Sequence, residues 1–241
     1  MEPDAEPGGG LRVIPVGRIG EVRPGQVLAD LVATAAGPIL QDGDVVVVTQ
    51  KVVSKAEGRL VAIDPADPQA HKVLVEAEAV RVLRRRRDLL VTETRHGFVC
   101  ANSGVDLSNV ERGWAALLPV DPDRSARRIR AGLRARLAVE VAVVVSDTFG
   151  RPWRRGVTDV AIGAAGLAGV ADLRGSLDAG GRELQATEVC IADEVAAAAE
   201  LVMGKARNIP VAIVCGVDPT FLREGSVRGE VVRPHAEDLF R

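Results

Sequence analysis

Short runs of β-branched residues, broken by small, polar and charged clusters, set the pattern of this chain. Val45-Val46-Val47-Val48 and Val143-Val144-Val145 are continuous apolar stretches of the kind found in strands buried on both faces. Strands are predicted over 11–16, 43–50, 89–94, 97–100, 139–145 and 211–214, the third and fourth paired around Arg95-His96. Helical periodicity predicts helices over 28–36, 69–87, 125–137 and 187–203, the last capped by Thr187 or a neighbour. The arginines at 84–87 then stand at a helix end, where they suit the negative pole of the helix dipole. The stretch 160–170, with Gly163, Gly166 and Gly169, reads as close packing of backbone in preference to a phosphate loop.

Strands and helices interleave without a regular βαβ repeat or an internal sequence repeat, so the fold class expected is mixed α/β or α+β. The main body is expected over 11–225, between an acidic, Gly- and Pro-containing tail at 1–10 and a polar tail at 226–241.

Composition narrows the function. With 47% hydrophobic and 27% charged residues, the 241-residue chain has the make-up of a soluble globular protein. A net charge of -2 provides no basic field for nucleic acid, and 2% aromatics without a tyrosine leave no stacking platform for single strands. No apolar run approaches the roughly 20 residues of a membrane helix, and the N-terminus lacks signal-peptide character, so a cytoplasmic location is expected. The cysteines (Cys100, Cys190, Cys215) form no CxxC pair and no zinc spacing.

Candidate chemistry lies where apolar runs end. Lys51 and Lys55, two of the chain's four lysines, follow the first valine run. They suit phosphate oxygens or a solvated strand end equally. Asp106 and Asn109, three residues apart, fit either metal coordination from one loop or a helix N-cap with its partner. The second valine run breaks at Ser146-Asp147-Thr148-Phe149-Gly150, a carboxylate and hydroxyls suited to a hard cation or to an Asx turn. Arg151, Arg154 and Arg155 follow as anion-binding candidates. GxxxxGK[ST] is absent and no GxGxxG follows a strand, which excludes a P-loop or Rossmann site. His71, His96 and His235 fit no triad, and Cys100 has no basic partner at a recognisable spacing.

The strings GDVVVVTQKVVSKAEGR, GFVCANSGVDLSNV, VVVSDTFGRPWRRGVTDVAIG and DLRGSLDAGGRELQATEVCIADEVAAAAELVMGK, in this order, resemble the coenzyme F420:L-glutamate ligases over residues 13–217. The resemblance implies a homodimer with the mixed α/β fold of that family. It implies GTP-dependent addition of L-glutamate to the lactyl carboxylate of a deazaflavin precursor, then γ-linked extension of the glutamate tail. Mg²⁺ or Mn²⁺ is implied as the metal, with K⁺ as an accessory cation. Carried onto this chain, Ile19, Gly20, Glu21, Val22, Gln50, Lys51, Lys55 and Asn109 would contact GTP. Asp106, Asp147 and Thr148 would hold metal, and the loop from Met203 through Gly204 and Lys205 to Ile209 would close over the nucleotide.

Some members carry an acidic residue after Met-Gly, at a second metal. Lys205 stands there in this chain and, while protonated, cannot ligate a cation. The segment 226–241 resembles the junction in two-domain actinobacterial members, which carry a C-terminal flavin-binding, nitroreductase-like domain. An acyl-phosphate route is expected, with Lys55, Asp147 and Arg154 as the catalytic set; the role of the arginines rests on charge alone. Two other readings use the same residues: a metal-dependent nucleotide phosphohydrolase and a GTP-binding domain without turnover.

Overall fold

The computed structural model describes residues 10–240, so apart from Gly10 the expected N-terminal tail lies outside the described residues. In chain order the elements are β1 (Arg12–Val16), α1 (Leu28–Ala36), β2 (Val45–Thr49), α2 (Gln50–Ala56), β3 (Leu60–Ala62), α3 (Lys72–Glu78), β4 (Ala79–Arg86), β5 (Leu89–Thr94), β6 (Val99–Ala101) and β7 (Trp114–Ala116). There follow α4 (Pro122–Leu137), β8 (Ala142–Arg151), β9 (Arg154–Ala165), β10 (Ala171–Asp172), β11 (Glu188–Val189), α5 (Ile191–Met203) and β12 (Val211–Cys215). The fold is mixed α and β, as expected.

The central sheet has the order β1-β12-β2-β8-β9, in which only β2 and β8 run parallel. Val45–Val48 and Val143–Val145 lie side by side at its centre and are fully buried. A residue run buried on alternating faces requires cover on both sides of the sheet, and α1, α4 and α5 belong to that core. Among the described residues there are three smaller sheets, β4-β5-β6, β3-β7 and β10-β11. Among the described residues no helix is long and apolar enough to cross a membrane.

Local chemistry explains the fit between α4 and the sheet. Asp121 caps α4 by accepting from the Arg124 N–H, with Pro122 in the first turn, so the helix begins three residues earlier than predicted. A Cβ on Gly163 would stand 2.3 Å from the backbone carbon of Pro122, so β9 and the start of α4 meet backbone to backbone. That contact is the close packing expected of the glycine-rich stretch. Asp123, buried in the same turn, accepts from the N–H groups of Ala164, Val227 and Arg228. The segment after residue 225 is thereby joined to the body, with Val227 inside the core.

Several expectations are corrected. The helix expected over 69–87 is only α3; from Ala79 the chain is extended and pairs with β5. Val80, Val82 and the arginines favour the pleated edge, where Arg81 meets Glu93 across the ladder at 2.8 Å. The arginine run therefore complements no helix dipole. The strand expected to stop at Val145 continues to Arg151, because β9 pairs with it along its whole length around a register shift at Val145/Ser146. Neither Asp147 nor Thr148 ends a strand. Residues 50–56 form the helix α2, which places both lysines on a helix. The last long helix begins at Ile191 and has no side-chain cap, since Glu188–Val189 is drawn into pairing with β10.

Candidate functional site

The site arises where two parallel strands end at different heights. Thr49, the last residue of β2, pairs with Ser146; beyond it the chain turns into α2 while β8 continues, paired with β9. The edge of β8 at Asp147 and Thr148 is thus left beside the carboxyl end of β2, the usual ligand position in sheets of this kind. A cavity of about 550 Å³ opens there, lined among others by Lys51, Lys55, Asp106, Asp147, Asp159 and Lys205.

α2 presents its lysines one turn apart. Lys51 Nζ is 2.9 Å from Asp106 Oδ2 and donates to Ser108 Oγ at 2.8 Å; Lys55 Nζ donates to Glu21 Oε1 at 2.5 Å. Gln50 is buried beneath them and donates to Ser54 Oγ and the Leu117 carbonyl, which fixes the start of the helix. Asp106 is held by a two-way backbone bridge to Ala116, and its Oδ1 accepts from the Ser108 N–H at 2.7 Å. This is an Asx turn followed by turns, so the helix-cap reading of Asp106 and Asn109 is overturned. Asn109 donates across the cavity to the Lys205 carbonyl at 3.4 Å. Lys205 follows α5 by way of Gly204, whose φ of 60° turns the chain over the opening.

The carboxylates differ in electrostatic setting. Burial pushes Asp147 up to about 7; the Thr148 N–H opposes this, while the negative charges of Asp106 and Asp159 add to it. Burial also works against the charge of Asp106, but the Ser108 N–H and the Lys51 ammonium outweigh it and hold that carboxyl below its ordinary value. Burial and the charge of Asp159 raise Glu200, with Lys205 opposing.

The donor set suits a hard divalent cation: carboxylate and hydroxyl oxygens of Asp106, Asp147 and Thr148, with Asp147 lifted partly by neighbouring negative charge that a dication would offset. Among the described residues no three His, Cys, Asp or Glu side chains form a ready-made metal cage. Mg²⁺ is commonly held by one or two carboxylates and takes its remaining oxygens from water and substrate phosphates.

Of the residues singled out from sequence, Gly20, Glu21, Val22, Gln50, Lys51, Lys55, Asp106, Asn109, Asp147, Thr148, Gly204 and Lys205 all line the cavity. Ile19 and Met203 are core residues flanking it. Arg151, Arg154 and Arg155 are exposed at the β8–β9 turn and do not line it. His96 is buried elsewhere against the Pro119 carbonyl. Burial, with Asp147 nearby, pushes the Cys100 thiol up to about 12, which removes it as a nucleophile. Asn208 and Ile209, from the loop expected to close over the nucleotide, also line the cavity, whereas sequence reasoning missed Asp159 and Glu200. The signal for Asp159, which lies on β9 opposite Thr148, was an acid at the head of the apolar run 160–165.

The family model described as F420-0:Gamma-glutamyl ligase matches residues 17–216 of this chain. A protein named coenzyme F420:L-glutamate ligase from Methanopyrus kandleri is 44% identical over 248 residues, covering 96% of this chain and 98% of the relative. Its namesake from Methanothermobacter thermautotrophicus is 41% identical over 250 residues, covering 96% and 99%. That from Methanocaldococcus jannaschii is 40% identical over 219 residues, covering 84% and 86%. The likeness spans the whole cavity and its scaffold, not one shared segment.

Proposed function

As this chain belongs to the F420-0:gamma-glutamyl ligase family, we propose that it attaches L-glutamate to the lactyl carboxylate of the deazaflavin precursor of coenzyme F420. In the same reading it extends the tail through γ-linked glutamates, uses GTP, and works as a homodimer. The observation that carries the proposal is the single cavity in which Lys51 and Lys55 face Asp106 and Asp147 beside the open edge of β8.

Amide formation from a free carboxylate is uphill in water, so the carboxylate must first be activated. A carboxylate oxygen of the precursor attacks the γ-phosphorus of GTP and GDP leaves. The amine of glutamate then attacks the acyl carbon and phosphate departs with that oxygen. Phosphoryl transfer asks the protein for position and charge neutralisation more than for a nucleophile. This matches a cavity whose reactive complement is lysines, carboxylates and hydroxyls.

Lys55, held by Glu21, supplies positive charge toward the transferring phosphoryl group, and Lys51 both fixes Asp106 and faces the phosphates. Gly204, Lys205 and Asn109 cover the nucleotide. Asp106, Asp147 and Thr148 would hold Mg²⁺ or Mn²⁺, which when bound supplies charge neutralisation at phosphate oxygens; K⁺ is an accessory in this reading. Arg154 and its neighbours, outside the cavity, meet the anionic parts of the precursor or the incoming glutamate.

The test is mass spectrometry of the glutamate-free precursor after incubation with the protein, L-glutamate, GTP and Mn²⁺, each omitted in turn. Glutamate-sized mass steps that require every component support the ligase. GTP hydrolysis without adduct points to a phosphohydrolase instead, and no change in either overturns the proposal.

A further inference from the structure

We propose that Asp159 is a positioning residue that acts through Thr148, setting that hydroxyl to receive a cation. The inference rests on the metal reading above and deepens it. Asp159 lies on β9 opposite Thr148 and is only 2% exposed. Its Oδ2 accepts from Ser146 Oγ at 2.9 Å; its Oδ1 accepts from Thr148 Oγ1 at 2.5 Å and from Lys205 Nζ at 3.3 Å. Both carboxylate oxygens are therefore occupied by three donors, two from β8 and one from the loop after α5.

The consequence follows from hydrogen counting. A carboxylate accepts and does not donate, so each hydroxyl must give its single hydrogen to Asp159. What Thr148 then offers the cavity is lone pairs. An oxygen in that state receives a metal ion and cannot donate to a phosphate oxygen. Ser146 is wholly buried, and its hydrogen bond braces the far oxygen of the carboxylate. Lys205 balances the buried charge and is itself tied to Glu200 at 3.7 Å.

Asn at position 159 has nearly the same shape but carries an amide N–H₂ in place of one oxygen. Whichever hydroxyl meets that group must turn around and accept. The orientation of Thr148 then ceases to be determined, although the packing survives.

The experiment measures Mn²⁺ binding to the full chain, with the metal alone, by the spin-resonance signal of free Mn²⁺. Asp159→Asn and Thr148→Val are each expected to weaken binding about ten- to hundredfold, the usual effect of disturbing an outer-shell partner or its ligand. The double variant is expected to bind no more weakly than the worse single variant, because one residue acts through the other. Thr148→Ser, which keeps the hydroxyl, should retain wild-type affinity. Should Asp159→Asn fail to fold, Ser146→Ala replaces it: releasing one oxygen of Asp159 should weaken binding by a smaller factor, again without adding to Thr148→Val.

Absence of Mn²⁺ binding by the wild type overturns the metal reading and this inference together. Wild-type binding that Asp159→Asn, or its replacement, leaves unchanged overturns the inference alone. Losses that add in the double variant also overturn it, since Asp159 would then act by its charge and not through Thr148.

Discussion

Asp106 and Asp147 face one cavity and have opposite electrostatic fates. Asp106 comes from a turn pinned to β7 by backbone hydrogen bonds, and a lysine ammonium and an N–H group hold it in its charged form. Asp147 comes from the interior of a strand. There burial and two neighbouring negative charges raise it; the Thr148 N–H and the charge of Lys205 offset this only in part, and among the described residues no lysine or arginine forms an ion pair with it. The difference teaches that residue type and proximity do not assign a role. Asp106 has a paired counter-charge in Lys51, whereas for Asp147 the more distant Lys205 does not outweigh burial, and a proton or a cation would complete the balance.

The largest expected effect separates that pair from the scaffold. Asp147→Ala and Asp106→Ala should each lower turnover on the order of a hundredfold or more, as expected when charge stabilisation is removed from a phosphoryl-transfer site. Circular dichroism should remain native. Near-normal turnover in both would break the comparison by showing that neither carboxylate serves the reaction. Lys55→Ala should come next. Loss of its charge is expected to raise the KM for GTP by about ten- to a hundredfold, consistent with a charge-assisted hydrogen bond worth ~1.5–3 kcal/mol, with a smaller effect on the KM for glutamate.

A subtler effect sharpens the comparison through pH. The raised pKa of Asp147 means that the metal-free folded chain keeps a proton the unfolded chain has released above about pH 4. That contribution is full at low pH and is lost as pH rises through about 7. Metal-free Asp147→Asn should therefore have a higher Tm than the wild type at mildly alkaline pH, with the gap closing toward pH 5. Asp106 has the opposite sign. Its lowered pKa gives stability that is present above the ordinary carboxylate range and lost as pH falls through it. Asp106→Asn should accordingly lower Tm at neutral pH, with its deficit shrinking in acid. Parallel curves for the two variants would contradict the assignment.

The smallest expected change is that of Arg154→Ala, which should leave the KM for GTP within about twofold. Its effect on the precursor or glutamate KM should resemble an exposed ion pair, about 0.2–1 kcal/mol. An unchanged profile for all substrates would remove the turn arginines from the reaction.

Much of the scaffold was legible because its causes are local. The valine runs, α1 and β12 follow from apolar patterning. The region 69–87 was not, because its helical period conflicts with an extended edge that only pairing with β5 decides. At the site, Lys51, Lys55, Asp106 and Asp147 stood out as polar residues beside apolar runs. Asp159 did not, since its meaning depends on a hairpin register with a shift at Val145/Ser146 and on Lys205, 46 residues away. The position of Arg154 outside the cavity was not legible for a related reason: β8 continues past Asp147, which carries the arginines away from it.

The central claim is that the cavity activates a carboxylate by phosphoryl transfer, and isotope transfer tests it most directly. The precursor, labelled with ¹⁸O in its lactyl carboxylate, would be converted with GTP, glutamate and metal, and the released phosphate analysed by mass. The account predicts one labelled oxygen in phosphate for each amide formed. Unlabelled phosphate accompanying amide formation would contradict it.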